Sequence, residues 1–300
     1  MKERRKENYM KVNVACVQMF PKINDKTYNI KKMEQFVHQT MQEHPQTQMI
    51  VFPETIVTGI EGDPSIFEDM AETIQDGESI LAMSKLAKQY GVYILYGYAQ
   101  RDEVDPKVIY NSIAVIANDG SVMGNYHKVH LFAPAETWNR AGDTYPIFET
   151  DFGKIGIIVC WDVAFPEIAR IYALKGADLL VVCSNWEDPF DGEVFDETHL
   201  NTHEEDWDLM CRARAFDNTL PLVASNRVGN DGGVLSWFGR SKIIDARGKI
   251  IHALDTRDEG ILYGEVDLDQ SARLRKSYYT FLQDRRPETY EELVKEKKEY

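Results

Sequence analysis

Three apolar runs in this sequence each end on a side chain capable of chemistry. Glu54 follows MIVFP, Lys128 follows SVMGNYH and Cys160 follows KIGIIV. A carboxylate, an ammonium and a thiol, brought together, make an acyl-transfer set. A thiol is mostly protonated near neutral pH and needs a base. Glu54, desolvated beside Cys160, could take that proton. Its pKa would rise with burial and fall beside Lys128. Attack on an amide or nitrile carbon puts negative charge on oxygen or nitrogen. Lys128 and a backbone N–H just after Cys160 would face that charge. Glu54 then returns its proton to the leaving amine, and water hydrolyses the thioester. Taken singly, each residue has an ordinary structural reading: a surface carboxylate, a solvated lysine, a buried core cysteine. Only their convergence makes a site.

The elements that must position them can be read from periodicity. Residues 155–159 are a short β-branched run, as in a buried strand. From Phe165 the spacing turns helical, with Phe165, Ile168, Ala169, Ile171, Tyr172 and Leu174 on one face and Pro166 in the first turn. Residues 177–183 are strand-like again. Cys160 therefore lies on a strand-to-helix connection, at the end of the sheet where open α/β folds do their chemistry. Elsewhere, strands are predicted at 12–19, 49–52, 92–98, 111–118, 121–129, 220–226, 241–245 and 260–266. Helices are predicted at 26–43 and 78–90, and from near 206 to about 218. The acidic stretch 186–208 reads as a long surface loop, with turns at 231–233 and 247–248. From Arg273 the tail has no strong period. The alternation predicts a layered α/β fold with a mixed sheet.

Composition narrows the function classes. Asp plus Glu number 49 against 34 Lys plus Arg, a formal net charge of −15. Such an acidic chain is a poor partner for nucleic acid or an anionic membrane. No apolar run approaches the roughly 20 residues of a membrane span. Cys16, Cys160, Cys183 and Cys211 form no zinc spacing, and four scattered cysteines suggest reduced thiols and a cytoplasmic setting. The basic start MKERRKENYM has no signal-peptide core after it. The expected organisation is a leader at 1–10, one domain at 11–285 and a charged tail at 286–300.

Three segments carry a resemblance. FPET at 52–55, NYHKVHLF at 125–132 and CWDVAFPE at 160–167 resemble, in order and spacing, the signature segments of the nitrilase superfamily of carbon–nitrogen hydrolases. RARAFDN at 212–218 and ASNRVG at 224–229 are similar to further family segments. The resemblance implies a Glu54–Lys128–Cys160 triad, with Lys128 and the backbone of Trp161 as oxyanion donors. It also implies a second glutamate, best matched by Glu136, although Ala141-Gly142 stands where the family usually has Pro-Gly. It implies a four-layer α-β-β-α sandwich, homodimers packed helix layer on helix layer, and neither metal nor organic cofactor.

Other residues invite sharper readings that the trio makes unnecessary. His127 and His130 flank Lys128 and are expected to line the strand without catalytic work. His199 and His203 stand at i,i+4 without the internal glutamate of a zinc motif. Arg212 and Arg214 sit near Asp217, as in a structural ion pair. Trp161, Asn185 and Trp186 follow the two strands nearest Cys160 and are candidate pocket residues. Cys-Trp-Asp after the strand resembles amidase and N-carbamoyl-amine hydrolase branches more than nitrilases. The acidic loop would steer an amine-bearing substrate. The expected function is hydrolysis of a small linear carboxamide to acid and ammonia. The alternatives are N-carbamoyl-amine hydrolysis, nitrile hydrolysis, and a non-catalytic dimeric relative.

Overall fold

The computed structural model describes residues 10–59, 63–136, 139–188, 202–230 and 236–295. Apolar alternation builds two six-stranded sheets. The first contains β1 (Lys11–Gln18), β2 (Met49–Val51), β3 (Tyr93–Arg101), β4 (Ile109–Ile116), β5 (Val122–His127) and β14 (Gly260–Asp267), in the order β14-β1-β2-β3-β4-β5. The second contains β6 (Phe148–Thr150), β7 (Gly153–Val159), β8 (Leu179–Ser184), β9 (Leu222–Asn226), β12 (Lys242–Ile244) and β13 (Ile250–Ala253), in the order β13-β12-β9-β8-β7-β6. Each sheet is parallel at its centre, β1-β2-β3 and β7-β8-β9, and antiparallel at its edges. A two-stranded ribbon, β10 (Val228–Asn230) with β11 (Ser236–Phe238), stands apart.

Period two along β1 shows how the layers assemble. Val12, Val14 and Cys16 point into a core shared with Ile155, Ile157 and Val159 of the second sheet. Ala15 and Val17 point the other way, against Met33 and Val37 of α1 (Lys26–Glu43) and Ile80 and Met83 of α3 (Glu78–Tyr90). On the far side of the second sheet, α5 (Pro166–Leu174) and α6 (Thr202–Asn218) add Ile168, Tyr172, Trp207 and Cys211. The result is the expected four layers, helix–sheet–sheet–helix. Each fully buried Val, Leu, Ile or Met contributes about 1.5–3 kcal/mol relative to exposure.

Several elements depart from expectation. The last helix but one begins at Thr202, inside the stretch read as loop, because its buried side chains start with Trp207 and the preceding turn is acidic. Leu174, assigned to the buried face of α5, is exposed, while Ala173 is buried. Helices α2 (Pro64–Met70), α4 (Ala133–Glu136) and α7 (Gln270–Arg275), and strands β6, β10, β11 and β13, had no counterpart in the periodicity. The expected leader up to residue 9, most of the 186–208 loop with His199, the turn at 231–233 and the last five residues lie outside the described residues. Among those described, no helix is long and apolar enough to cross a membrane.

Candidate active site

Glu54 sits just past β2, on a turn held against β3. Phe52 N–H donates to Leu95 O at 2.8 Å, and Gly97 N–H donates to Pro53 O at 3.1 Å. Thr55 adopts a left-handed φ of 47°. A Cβ on Gly97 would overlap the backbone of Glu54 and Thr55, so β3 must have glycine where the turn crosses it. Lys128 follows β5. Its N–H donates to Asn111 O at 2.9 Å, and its carbonyl accepts from Gly142 N–H at 2.8 Å. Glu136 closes the one-turn helix α4, its Oε2 accepting from Phe132 N–H at 2.9 Å.

These three side chains meet with no exposure to solvent. Lys128 Nζ donates to Glu54 Oε1 at 2.8 Å and to Glu136 Oε2 at 2.5 Å. Asn111 Nδ2 bridges the two glutamates, donating to Glu54 Oε1 at 2.7 Å and Glu136 Oε1 at 2.6 Å. Glu54 Oε2 is buried without a hydrogen-bond partner among the described residues.

Cys160 leaves β7 at a φ of 42°, opening a short 3-10 turn, Cys160–Ala164. That left-handed conformation costs a non-glycine residue about 1–3 kcal/mol and is held by its surroundings. Asp162 does much of the holding. Its Oδ2 accepts from Val159 N–H at 3.2 Å and Tyr126 O–H at 2.7 Å, and its Oδ1 accepts from His130 N–H at 2.8 Å. The cysteine turn is thereby stapled to both sides of Lys128. Cys160 lines a cavity of about 350 Å³ together with Phe132, Trp161, Trp186 and Glu187. The rings of Trp161 and Trp186 lie 5.6 Å apart, and Phe132 lies 5.3 Å from Trp161. The volume is near the low end of the roughly 300–1,000 Å³ typical of small-molecule pockets.

A family model described as carbon–nitrogen hydrolase matches residues 13–276. The chain belongs to the carbon–nitrogen hydrolase family. The resemblance to the nitrilase superfamily is thus borne out. A probable nitrilase of Schizosaccharomyces pombe is 48% identical over 285 residues, covering 95% of this chain and 99% of the relative. A citrullinase of Francisella tularensis is 30% identical over 296 residues, covering 95% and 98%. A solved carbon–nitrogen hydrolase from Helicobacter pylori superposes with a TM-score of 0.84 at 28% identity, covering 97% of this chain and 100% of that one.

Burial raises the Glu54 carboxyl above the usual range; Lys128 opposes this and Glu136 adds to it. In this hydrolase the other thiols are sealed. Burial pushes Cys16 and Cys211 up to about 12 and Cys183 well above its ordinary value. The structure gathers Glu54, Lys128 and Glu136 into one cluster and sets Cys160, Trp161 and Trp186 on the cavity wall. Asn185 does not join that wall; its Oδ1 accepts from Arg227 Nη1 at 3.3 Å. Ala141 in place of proline leaves the neighbouring glycine to do the work. A Cβ on Gly142 would overlap His127, so only glycine brings its N–H to Lys128.

His130 stacks on Phe165 and His127 on Tyr110, with centroids 3.7 and 3.8 Å apart. Arg214 pairs with Asp217 at 3.4 Å. Sequence reading passed over Asn111, Asp162 and Glu187. A polar residue inside the apolar run of β4 and a charge three places after a buried strand were the available signals.

Proposed function

We propose that this hydrolase is a cysteine-dependent amidase that converts a small linear carboxamide to acid and ammonia. The observation that carries the reading is the buried Lys128 bonded to both Glu54 and Glu136, on the segment to which the Cys160 turn is stapled. Glu54, whose Oε2 has no hydrogen-bond partner among the described residues, takes the Cys160 proton. Sulfur bonds to the carbonyl carbon, and the charge on oxygen meets Lys128 and the Trp161 N–H. The carbon–nitrogen bond breaks as Glu54 returns the proton to nitrogen, releasing ammonia and leaving a thioester. Water, deprotonated by a glutamate of the cluster, cleaves the thioester and restores the thiol. Glu136 holds Lys128 in line throughout.

The similarity to a citrullinase favours a second reading, hydrolysis of a carbamoyl group, with the carbonyl carbon leaving as carbon dioxide. A carbonyl-labelled ureido substrate separates the two by whether the label leaves as gas. The primary test is acid-quenched intact mass with a panel of short amides. An acyl adduct is expected on the wild type and none on Cys160→Ala. Undiminished ammonia release by Cys160→Ala would sink the mechanism.

A further inference from the structure

The cavity that Cys160 enters is chemically lopsided. Apart from the thiol, its ionisable lining is Glu187, Asp206 and His203, and no lysine or arginine faces it among the described residues. Glu187 follows Trp186 at the end of the β8 segment. Among the described residues its carboxyl finds no partner beyond its own backbone N–H. His203 contributes a ring nitrogen 3.0 Å from the Glu187 carbonyl oxygen, so it braces the backbone here. Asp206, exposed on α6, stands at the mouth. Trp161 and Trp186, their rings tilted against each other, line the same cavity as the thiol and these acids.

Glu187 is half-buried on the cavity wall, and a carboxylate partly withdrawn from water there gains from a cation brought by the ligand. Aromatic faces add attraction for a desolvated ammonium. A second carboxylate on the ligand would meet Glu187 and Asp206 and be repelled.

We propose that the substrate carries a protonated amine at the end remote from its H₂N–C(=O)– group, and that Glu187 binds this amine while Asp206 steers it inward. This rests on the reading of Cys160 as nucleophile. The shared carbamoyl end belongs equally to an aminoalkyl carboxamide and an aminoalkyl urea. The proton on an aliphatic amine stays on at neutral pH, since such groups titrate near 10. Raising of the Glu187 carboxyl to about 7, foremost by burial, is what an acid awaiting a cation would show.

The test uses four probes: aminopentanamide with the amine at its far end, hexanamide, glutaramate and aminobutylurea. Turnover by wild type is expected to favour the amine probes over hexanamide by about tenfold or more, with glutaramate poorest. Glu187→Gln should cost the amine probes about tenfold to a hundredfold in kcat/KM, mainly through KM, and cost hexanamide at least several-fold less. Glu187→Lys should move the preference toward glutaramate. Whichever of aminopentanamide and aminobutylurea turns over faster identifies the carbamoyl end. Calorimetric binding to Cys160→Ala separates this proposal from the hydrolase reading. Amine-selective binding abolished by Glu187→Gln supports the subsite even if no probe is turned over. Equal binding of amine and methyl probes, or equal losses for both in Glu187→Gln, overturns it even if amides are hydrolysed.

Discussion

One ammonium and two carboxylates share the buried cluster, so one negative charge is left over. Desolvation is what pushes Glu54 toward its protonated form. The folded state then binds that proton more tightly than the unfolded state does. The stability linked to it is present at low pH and falls as pH rises through the raised value. Glu54→Gln keeps an acceptor for Lys128 and Asn111 and removes the surplus charge. It is expected to lower turnover by a factor of about 10²–10⁴ while leaving the thermal midpoint at neutral pH unchanged or higher. A clear fall in the midpoint would mean that the charge itself holds the cluster together.

Glu187 obeys the same sign with a value attached. Its carboxyl is raised to about 7; Glu54 adds to the effect, Lys128 and Arg227 oppose it, and Asp206 and His203 face it at the mouth. Between the ordinary carboxyl range and about 7, wild type should lose stability that Glu187→Gln keeps. The gap should level off above that at about 1–3 kcal/mol, at roughly 1.4 kcal/mol per unit of pKa shift. Unfolding curves at mildly acidic and mildly alkaline pH check this. A gap that does not change with pH would count against a carboxyl raised by desolvation.

Among the elements, α1 and α3 were legible to the residue because a long amphipathic helix repeats its signal. The three-residue strands β6 and β11 are too short to show a period and lack the apolar run that marks the equally short β2. The candidate site was legible wherever an apolar strand runs straight into a reactive side chain, as at Glu54, Lys128 and Cys160. The bridge of Asn111 was not, because it depends on which strands pair, and pairing of β4 with β5 sets that register. Gly97 belongs to the same category: its meaning comes from the turn crossing it. Gly97→Ala must push rigid backbone, not a flexible side chain. It is expected to cost about 1–3 kcal/mol in denaturant unfolding. It should also reduce kcat by about a hundredfold, since Glu54 moves with its turn. Wild-type values for both would show that the turn can yield.

Across the molecule, the two sheets supply different halves of the candidate site. The first gives Glu54 and Lys128 just past the ends of β2 and β5, with Glu136 following on α4, and the second gives the thiol at the end of β7. Asp162 ties the halves through Tyr126 and His130. The same layering decides the fate of the sulfurs. Cys16, Cys183 and Cys211 have no exposed surface, whereas Cys160 opens on the cavity. Iodoacetamide applied to the native protein should therefore label one sulfur per chain, at position 160, and peptide mapping would reveal any second label. If so, the labelled fraction becomes a head-count of competent molecules, and a preparation's specific activity can be corrected for inert protein before any substrate is ranked.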